Sequence, residues 1–76
     1  MELENHFSLY PNPTSDIVNV KGDRNIQKTT LLDINGGVVN HEFSNNQISV
    51  DQLESGLYFL EILHDDGVEV LRFFKH

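Results

Sequence analysis

Turn-forming residues recur at short intervals along this chain and leave only short stretches between them. Asn-Gly and Asp-Gly steps between apolar runs are the usual signals of β-hairpins. The turn signals fall at residues 11–13, 21–23, 35–37, 44–46, 55–56 and 65–67. The sequence also lacks alanine, the residue with the strongest helix propensity, and its apolar residues are mostly Val, Ile, Leu, Phe and Tyr. The pattern therefore favours β-structure.

Strand-like runs lie between these turns. They are residues 7–10, 16–20, 29–34, 38–43, 48–51, 57–64 and 68–75. In the second run, Val18 and Val20 share one face, as the period of a strand requires. Seven short strands at near-regular spacing predict an all-β fold, a small antiparallel Greek-key β-sandwich of the immunoglobulin-like kind. One helical turn is expected at residues 52–54, with Asp51 as its N-cap.

Length and charge exclude several classes of protein. A chain of 76 residues without cysteine is expected to form one domain with a small core and no disulfide. The net charge of -7 would repel a nucleic-acid backbone, so no nucleic-acid partner is expected. No apolar run approaches the roughly 20 residues of a membrane-spanning helix, so membrane insertion is not expected. Met1 is followed by acidic residues, unlike the start of a signal peptide.

The side chains that could carry chemistry do not form a recognisable set. The four histidines, at positions 6, 41, 64 and 76, follow no metal-binding spacing. Residues 33–37 resemble part of a calcium loop but lack its third ligand and its distal glutamate, so a hairpin turn is the better interpretation. Since there is also no cysteine and no nucleophile elbow, we expect neither an enzyme nor a cofactor.

Two local patterns predict structural roles. Pro11 has no N–H group, so we expect it to end the first strand. Tyr58 enters a strand two residues after Gly56, which is the arrangement of a tyrosine corner. We therefore expect the hydroxyl of Tyr58 to bond to main chain that precedes it.

The last strand allows two interpretations. Arg72 and Lys75 are two of only five basic residues, and they flank Phe73 and Phe74. Charged side chains commonly protect an edge strand from unwanted pairing. The same residues would also suit an exposed edge that a partner recognises by strand addition. The pattern alone leaves both interpretations open.

Four short motifs follow one another in order along the chain. They are Tyr10-Pro11-Asn12-Pro13, the hairpin pair Asp33 and Gly36, the set Leu53, Gly56 and Tyr58, and the basic residues Arg72 and Lys75. Together they resemble the type IX (Por) secretion system C-terminal sorting domain, type A, of Bacteroidetes, over residues 9–75. The chain departs from the family pattern at Gly37, where Lys or Arg is usual, and in its few basic residues at the end.

The resemblance implies that the chain is a secretion signal and a fragment of a longer secreted protein. Its partners would be the type IX translocon and a sortase-like peptidase, which would remove the domain and exchange it for a lipopolysaccharide anchor. Residues 1–7 would be residual linker, and residues 8–76 the β-sandwich. The cargo would pass through the periplasm to the cell surface or the extracellular space.

The resemblance also divides the motif residues by role. We expect the translocon to recognise the end of the last strand, and the remaining motif residues to be mainly structural. The recognised residues would be Arg72, Phe73, Phe74, Lys75 and His76.

Two further hypotheses come from the residues alone. A carbohydrate-binding or adhesive β-sandwich module is the alternative function, and it would need exposed aromatic side chains or a calcium loop. A free last strand could also pair with a second copy, so a weak homodimer through edge strands is expected.

Overall fold

The computed structural model describes residues 6–76, and these contain eight strands and no helix. The strands are β1 (Phe7–Tyr10), β2 (Ile17–Gly22), β3 (Ile26–Leu32), β4 (Val38–Val39), β5 (Phe43–Ser44), β6 (Gln47–Ser49), β7 (Gly56–His64) and β8 (Gly67–Lys75). One sheet has the order β1-β2-β6-β5 and the other β4-β3-β7-β8. All the strand pairs are antiparallel. The predicted all-β antiparallel sandwich is confirmed.

The core lies between the two sheets and follows the alternation of the strands. Val18 and Val20 both point inward, as their spacing predicts, while Ile17 is exposed. The buried apolar side chains are Phe7, Val18, Val20, Leu31, Ile48, Val50, Tyr58, Leu60, Ile62 and Phe73. No helix among the described residues is long and apolar enough to cross a membrane.

The prediction of one strand at residues 38–43 is wrong, because the chain changes sheets within it. β4 pairs with β3 in one sheet, and β5 pairs with β6 in the other. His41 lies in the connection between them, where its Nε2 is 2.8 Å from the Thr29 hydroxyl oxygen. The crossing explains why eight strands are found where the sequence predicts seven.

The prediction of a helical turn at residues 52–54 is also wrong. The segment is a hydrogen-bonded turn in which the Leu53 N–H donates to the Val50 carbonyl at 3.0 Å. The carboxylate of Asp51 accepts a hydrogen bond from the Ser49 hydroxyl at 3.0 Å, and it caps no helix. β7 begins three residues after Leu53, at Gly56, whose φ of 153° is one that glycine adopts readily.

The first strand begins at Phe7. The predicted strand (7–10) and the predicted linker (1–7) overlap at this residue. The ring of Phe7 is buried in the core, so this residue belongs to the sandwich. The main-chain N–H groups of His6 and Phe7 donate to the two carboxylate oxygens of Glu69 at 3.0 and 3.2 Å. Glu69 thereby ties the start of β1 to β8. The predicted linker residues 1–5 lie outside the described part of the chain.

Gly22 pairs across the sheet with Phe7, and the ring of Phe7 occupies the space above it. A Cβ at position 22 would lie 2.1 Å from Cδ1 of that ring and 2.7 Å from the His6 carbonyl oxygen. Neither neighbour can move freely, because one is in the core and the other is main chain. Only glycine fits at this position.

We therefore expect Gly22→Ala to lower the free energy of unfolding by about 1–3 kcal/mol, the usual cost of overpacking a core. Urea unfolding followed by circular dichroism measures the change. Ser8→Ala on the exposed side of β1 is the matched control and should leave stability almost unchanged. Equal stability of Gly22→Ala and the unmodified chain would contradict the packing described for Phe7.

Candidate functional site

The corner at residues 10–14 carries the chain from the end of β1 to the end of β8. The side-chain oxygen of Asn12 accepts a hydrogen bond from the Phe74 N–H at 2.9 Å. The Thr14 N–H donates to the Phe74 carbonyl at 2.9 Å, and the His76 N–H donates to the Thr14 carbonyl at 2.9 Å. β1 ends at Tyr10, as the position of Pro11 predicts. The corner therefore acts as a short extra strand on the outer edge of β8.

Thr14 anchors this corner inside the protein. It is almost fully buried, and its hydroxyl donates to the Ile17 carbonyl at 2.7 Å. The corner is thereby fixed to β2 on one side and to β8 on the other. Residues far apart in sequence are held together at this point, since Asn12 and Phe74 are separated by 62 positions.

The Asp33–Gly36 pair builds the turn that follows β3. One carboxylate oxygen of Asp33 accepts hydrogen bonds from the N–H groups of Asn35 and Gly37, both at 2.9 Å. Gly36 has φ of 83°, a left-handed conformation that glycine adopts without strain. The turn needs both motif residues, one for its hydrogen bonds and one for its backbone. Gly37 contributes its N–H group to the turn, and the Asp33 carboxylate forms no ion pair with the described residues.

The predicted tyrosine corner is present. The hydroxyl of Tyr58 donates to the Glu54 carbonyl at 2.7 Å, four residues upstream. The ring of Tyr58 stacks on that of Phe73, with centroids 5.7 Å apart and planes inclined by 20°. Tyr58 therefore fixes the turn before β7 and also packs against the last strand.

Lys75 links this turn to the end of β8. Although it is charged, its side chain is only 7% exposed. Its Nζ donates to the main-chain oxygens of Leu53 at 3.2 Å and of His76 at 3.0 Å. The ammonium group lies beside carbonyl groups, which partly compensate for its loss of water. Lys75 is thus an internal tie, and its charged group is not displayed on the surface.

The motifs that are dispersed in sequence meet at one end of the sandwich. The start of β7 lies between the end of β3 and the end of β8, because Leu32 pairs with Phe59 and Gly56 with Lys75. A recess of about 590 Å³ opens between the hairpin turn at Asp33 and the turn before β7. We call this region the motif end. Its residues are Tyr10, Pro11, Asn12, Pro13, Asp33, Gly36, Leu53, Gly56, Tyr58 and residues 72–76.

The five residues predicted for translocon recognition fall on two faces of β8. Phe73 is fully buried and Lys75 nearly so. Arg72, Phe74 and His76 are exposed, and Phe74 retains 47% of its accessible surface. A partner that docks on the folded domain can therefore reach Arg72, Phe74 and His76, while Phe73 and Lys75 keep the strand in place.

Two residues that hold β8 were not predicted from sequence: Thr14 at the motif end, and Glu69 near the start of the strand. Thr14 follows the second proline and closes the corner on β8, but its sequence pattern is that of any polar turn residue. Glu69 had one usable signal, since it is an acidic residue at an inward position of an alternating strand. The described residues contain no group of three or more side chains that could hold a metal ion.

Tyr58 allows a direct test of the tyrosine corner. We expect Tyr58→Phe to lower the free energy of unfolding by about 1–2 kcal/mol, because the Glu54 carbonyl loses its buried donor. Tyr10→Phe is the matched control, since Tyr10 is half-exposed and its hydroxyl makes no hydrogen bond with the described residues. Denaturant unfolding of both variants measures the difference. Equal losses of stability would contradict the role of the hydroxyl.

A substitution of Asn12 tests whether the corner at residues 10–14 protects the outer edge of β8. We expect Asn12→Ala to increase the rate of hydrogen exchange at the Phe74 amide and to destabilise the domain by about 0.5–1.5 kcal/mol, because that amide loses its acceptor. Asn12→Asp keeps an acceptor oxygen and should preserve the protection. Hydrogen exchange followed by NMR reports on the amides of Phe74 and His76 separately. Unchanged protection of Phe74 in Asn12→Ala would show that the corner does not hold the strand.

Comparison with known proteins gives one match. A family model described as the secretion system C-terminal sorting domain matches residues 8–75. Neither the search of curated proteins nor the search of solved structures found a match. The matched segment spans nearly the whole chain and includes every residue of the motif end except His76. The chain therefore belongs to the family of secretion system C-terminal sorting domains, and it is a sorting signal for type IX secretion.

Proposed function

We propose that this domain directs cargo across the outer membrane through the type IX translocon, which recognises the exposed residues at the end of β8. The cargo would pass through the periplasm and reach the cell surface or the extracellular space. The type A subclass and an origin in Bacteroidetes are part of the same proposal. The observation that carries it is the meeting of all the family motifs at the motif end, around the last residues of the strand.

The surface available for recognition combines one charged and one aromatic side chain. Arg72 is exposed and makes no hydrogen bond or ion pair with the described residues. Phe74 is half-exposed, although its main-chain groups are held by Asn12 and Thr14. A rigid display of this kind favours recognition, because little conformational entropy is lost on binding.

We further propose that a sortase-like peptidase removes the domain in the linker before it and exchanges it for a lipopolysaccharide anchor. The tie between Glu69 and the N–H groups of His6 and Phe7 supports this proposal, because it holds the start of β1 within the sandwich, so that a cut before these residues would leave the eight strands intact. The domain itself would have no catalytic role.

An export assay in a Bacteroidetes host tests the recognition surface. The chain is fused to a reporter that carries a periplasmic signal, and the reporter is measured in the medium, at the cell surface and in the periplasm. We expect the unmodified fusion to leave the periplasm and the double variant Arg72→Glu with Phe74→Ser to remain in it. Retention of the unmodified fusion would refute the proposed function.

The control for this assay is Lys21→Glu, which makes the same change of charge on the exposed face of the other sheet. We expect it to be exported normally. Point variants are preferred to deletion of residues 72–76, because deletion removes the buried Phe73 and would unfold the domain. Thermal unfolding of each purified variant separates loss of recognition from loss of fold. Mass spectrometry of the exported reporter shows whether the domain has been removed.

The expected weak homodimer through edge strands stays a prediction. Since Asn12 and Thr14 occupy the edge of β8 at residues 74–76, such a dimer would have to use residues 68–72 or another edge strand. A concentration series in light scattering tests it. Monomer at every concentration would contradict it.

A further inference from the structure

The outer edge of β8 is open at its centre. The N–H and carbonyl groups of Phe74 bond to Asn12 and Thr14, which shows that they point away from β7. The register between β7 and β8 runs without a shift from Gly56–Lys75 to His64–Gly67. Main-chain groups alternate in direction along an antiparallel strand, so those of Val68, Val70 and Arg72 also face outward. No described residue bonds to them. We call Val68, Val70 and Arg72 the open edge.

The open edge is closed at its Arg72 end, and the side chain of Glu69 crosses it between Val68 and Val70. At one end, Asn12 and Thr14 occupy the strand from Phe74 onward. Near the other end, the side chain of Glu69 crosses to β1 and bonds to His6 and Phe7. Between these two places, a groove of about 340 Å³ runs beside β8, lined by Leu9, Phe59, Val70, Leu71 and Arg72. The domain thus presents unpaired main-chain groups next to an apolar depression.

The side chains around the open edge define the chemistry of its occupant. Val68 and Val70 are 58% and 55% exposed, and they lie on the outer face of β8 together with Arg72. Arg72 adds a positive charge without a partner among the described residues. If an extended segment pairs with this edge, every second side chain lies beside Val70 and Arg72 on the exposed face of the sheet. The side chains between them lie on the inward face, next to the groove at Leu9 and Leu71.

We propose that the open edge accepts an extended peptide segment of a partner by strand addition, with an acidic residue opposite Arg72 and apolar residues opposite Val70 and Leu71. The inference rests on the proposed function, because that partner would belong to the secretion machinery. Main-chain hydrogen bonds supply general affinity in this mode of recognition, and the side chains supply specificity. The acidic residue would form an ion pair with Arg72.

A second copy of the chain fits the open edge less well. Antiparallel pairing of two copies about Val70 would place Arg72 opposite Val68, so the charge would meet no carboxylate. The same pairing would place Glu69 opposite Leu71, and since the carboxylate of Glu69 is held by His6 and Phe7, no apolar side chain would fill the groove at Leu71. Each copy also carries a net charge of -7, so the two would repel each other.

Synthetic peptides test the proposal without requiring export. The probes are a fluorescent peptide with two valines on each side of one aspartate and threonines at both ends, and matched peptides with asparagine or lysine in place of the aspartate. Fluorescence anisotropy with the full chain measures binding. We expect the aspartate peptide to bind about fivefold more tightly than the asparagine peptide, the effect of one exposed ion pair. Arg72→Glu should reverse the order of the aspartate and lysine peptides.

Val70→Pro removes one outward N–H group and leaves the bonds to β7 intact, a substitution that edge strands accommodate. We expect it to abolish peptide binding, while Val70→Thr keeps the N–H group and retains binding. On binding, the amides of Val68, Val70 and Arg72 should become protected from hydrogen exchange in NMR spectra. Should Val70→Pro prove unfolded in a thermal scan, the charge reversal at Arg72 and the exchange data still decide the question.

Three outcomes would overturn the proposal. The aspartate and asparagine peptides could bind equally, the protected amides could lie elsewhere, or the amides of the open edge could be protected without peptide because the chain self-associates. Export of the fusion carrying Val70→Pro gives a further readout. If that variant is exported like the unmodified fusion, the open edge is not needed and this inference fails, while the proposed function stands. If the unmodified fusion is not exported, the proposed function fails whatever the peptides show.

Discussion

The pairing of β8 on both of its sides at the motif end holds this structure together. β7 bonds to one edge of the strand along its whole length, and the Asn12–Thr14 corner bonds to the other edge at Phe74 and His76. The inward side chains of the same segment also fix β8 to the turn before β7, because Phe73 packs on Tyr58 and Lys75 donates a hydrogen bond to the Leu53 carbonyl. Two of the four family motifs thus make direct contact with the last strand, and the basic residues Arg72 and Lys75 of another belong to it.

β8 is held in place by more than the small hydrophobic core. Here the strand is fixed by hydrogen bonds that close long loops, and the small core alone would not fix it so firmly. The same hydrogen bonds leave Arg72 and Phe74 displayed outward on a rigid support.

The edge of β8 is divided into a covered part and an open part, and this division bears on both interpretations of the last strand. In the covered part, the Asn12 side chain and the Thr14 main chain bond to the edge and protect it, whereas the sequence pattern favours protection by charged side chains. The open part retains free main-chain groups beside the groove at Leu71. Hydrogen bonds from the corner therefore protect the strand from Phe74 onward, and the charged side chain of Arg72 lies on the part that remains open.

Much of the local structure could be predicted from sequence. The turn residues and alternating runs fixed the first strand to its exact bounds and most others within a few residues, because these features depend on near neighbours. Tyr58 could be assigned its hydrogen bond for the same reason, since its partner lies only four residues away. The family resemblance was also carried by local motifs, and the match to residues 8–75 confirmed it.

The sequence by itself determined the strand pattern, the turns and the family. Only the tertiary structure decided which side of β8 faces inward, because the alternation of Arg72, Phe73, Phe74 and Lys75 fits either face until the partner sheet is in place. It also split residues 38–43 between the two sheets and brought Asn12 to Phe74 across 62 positions. Such contacts depend on how distant segments pack against each other, and no local pattern of residues records that packing.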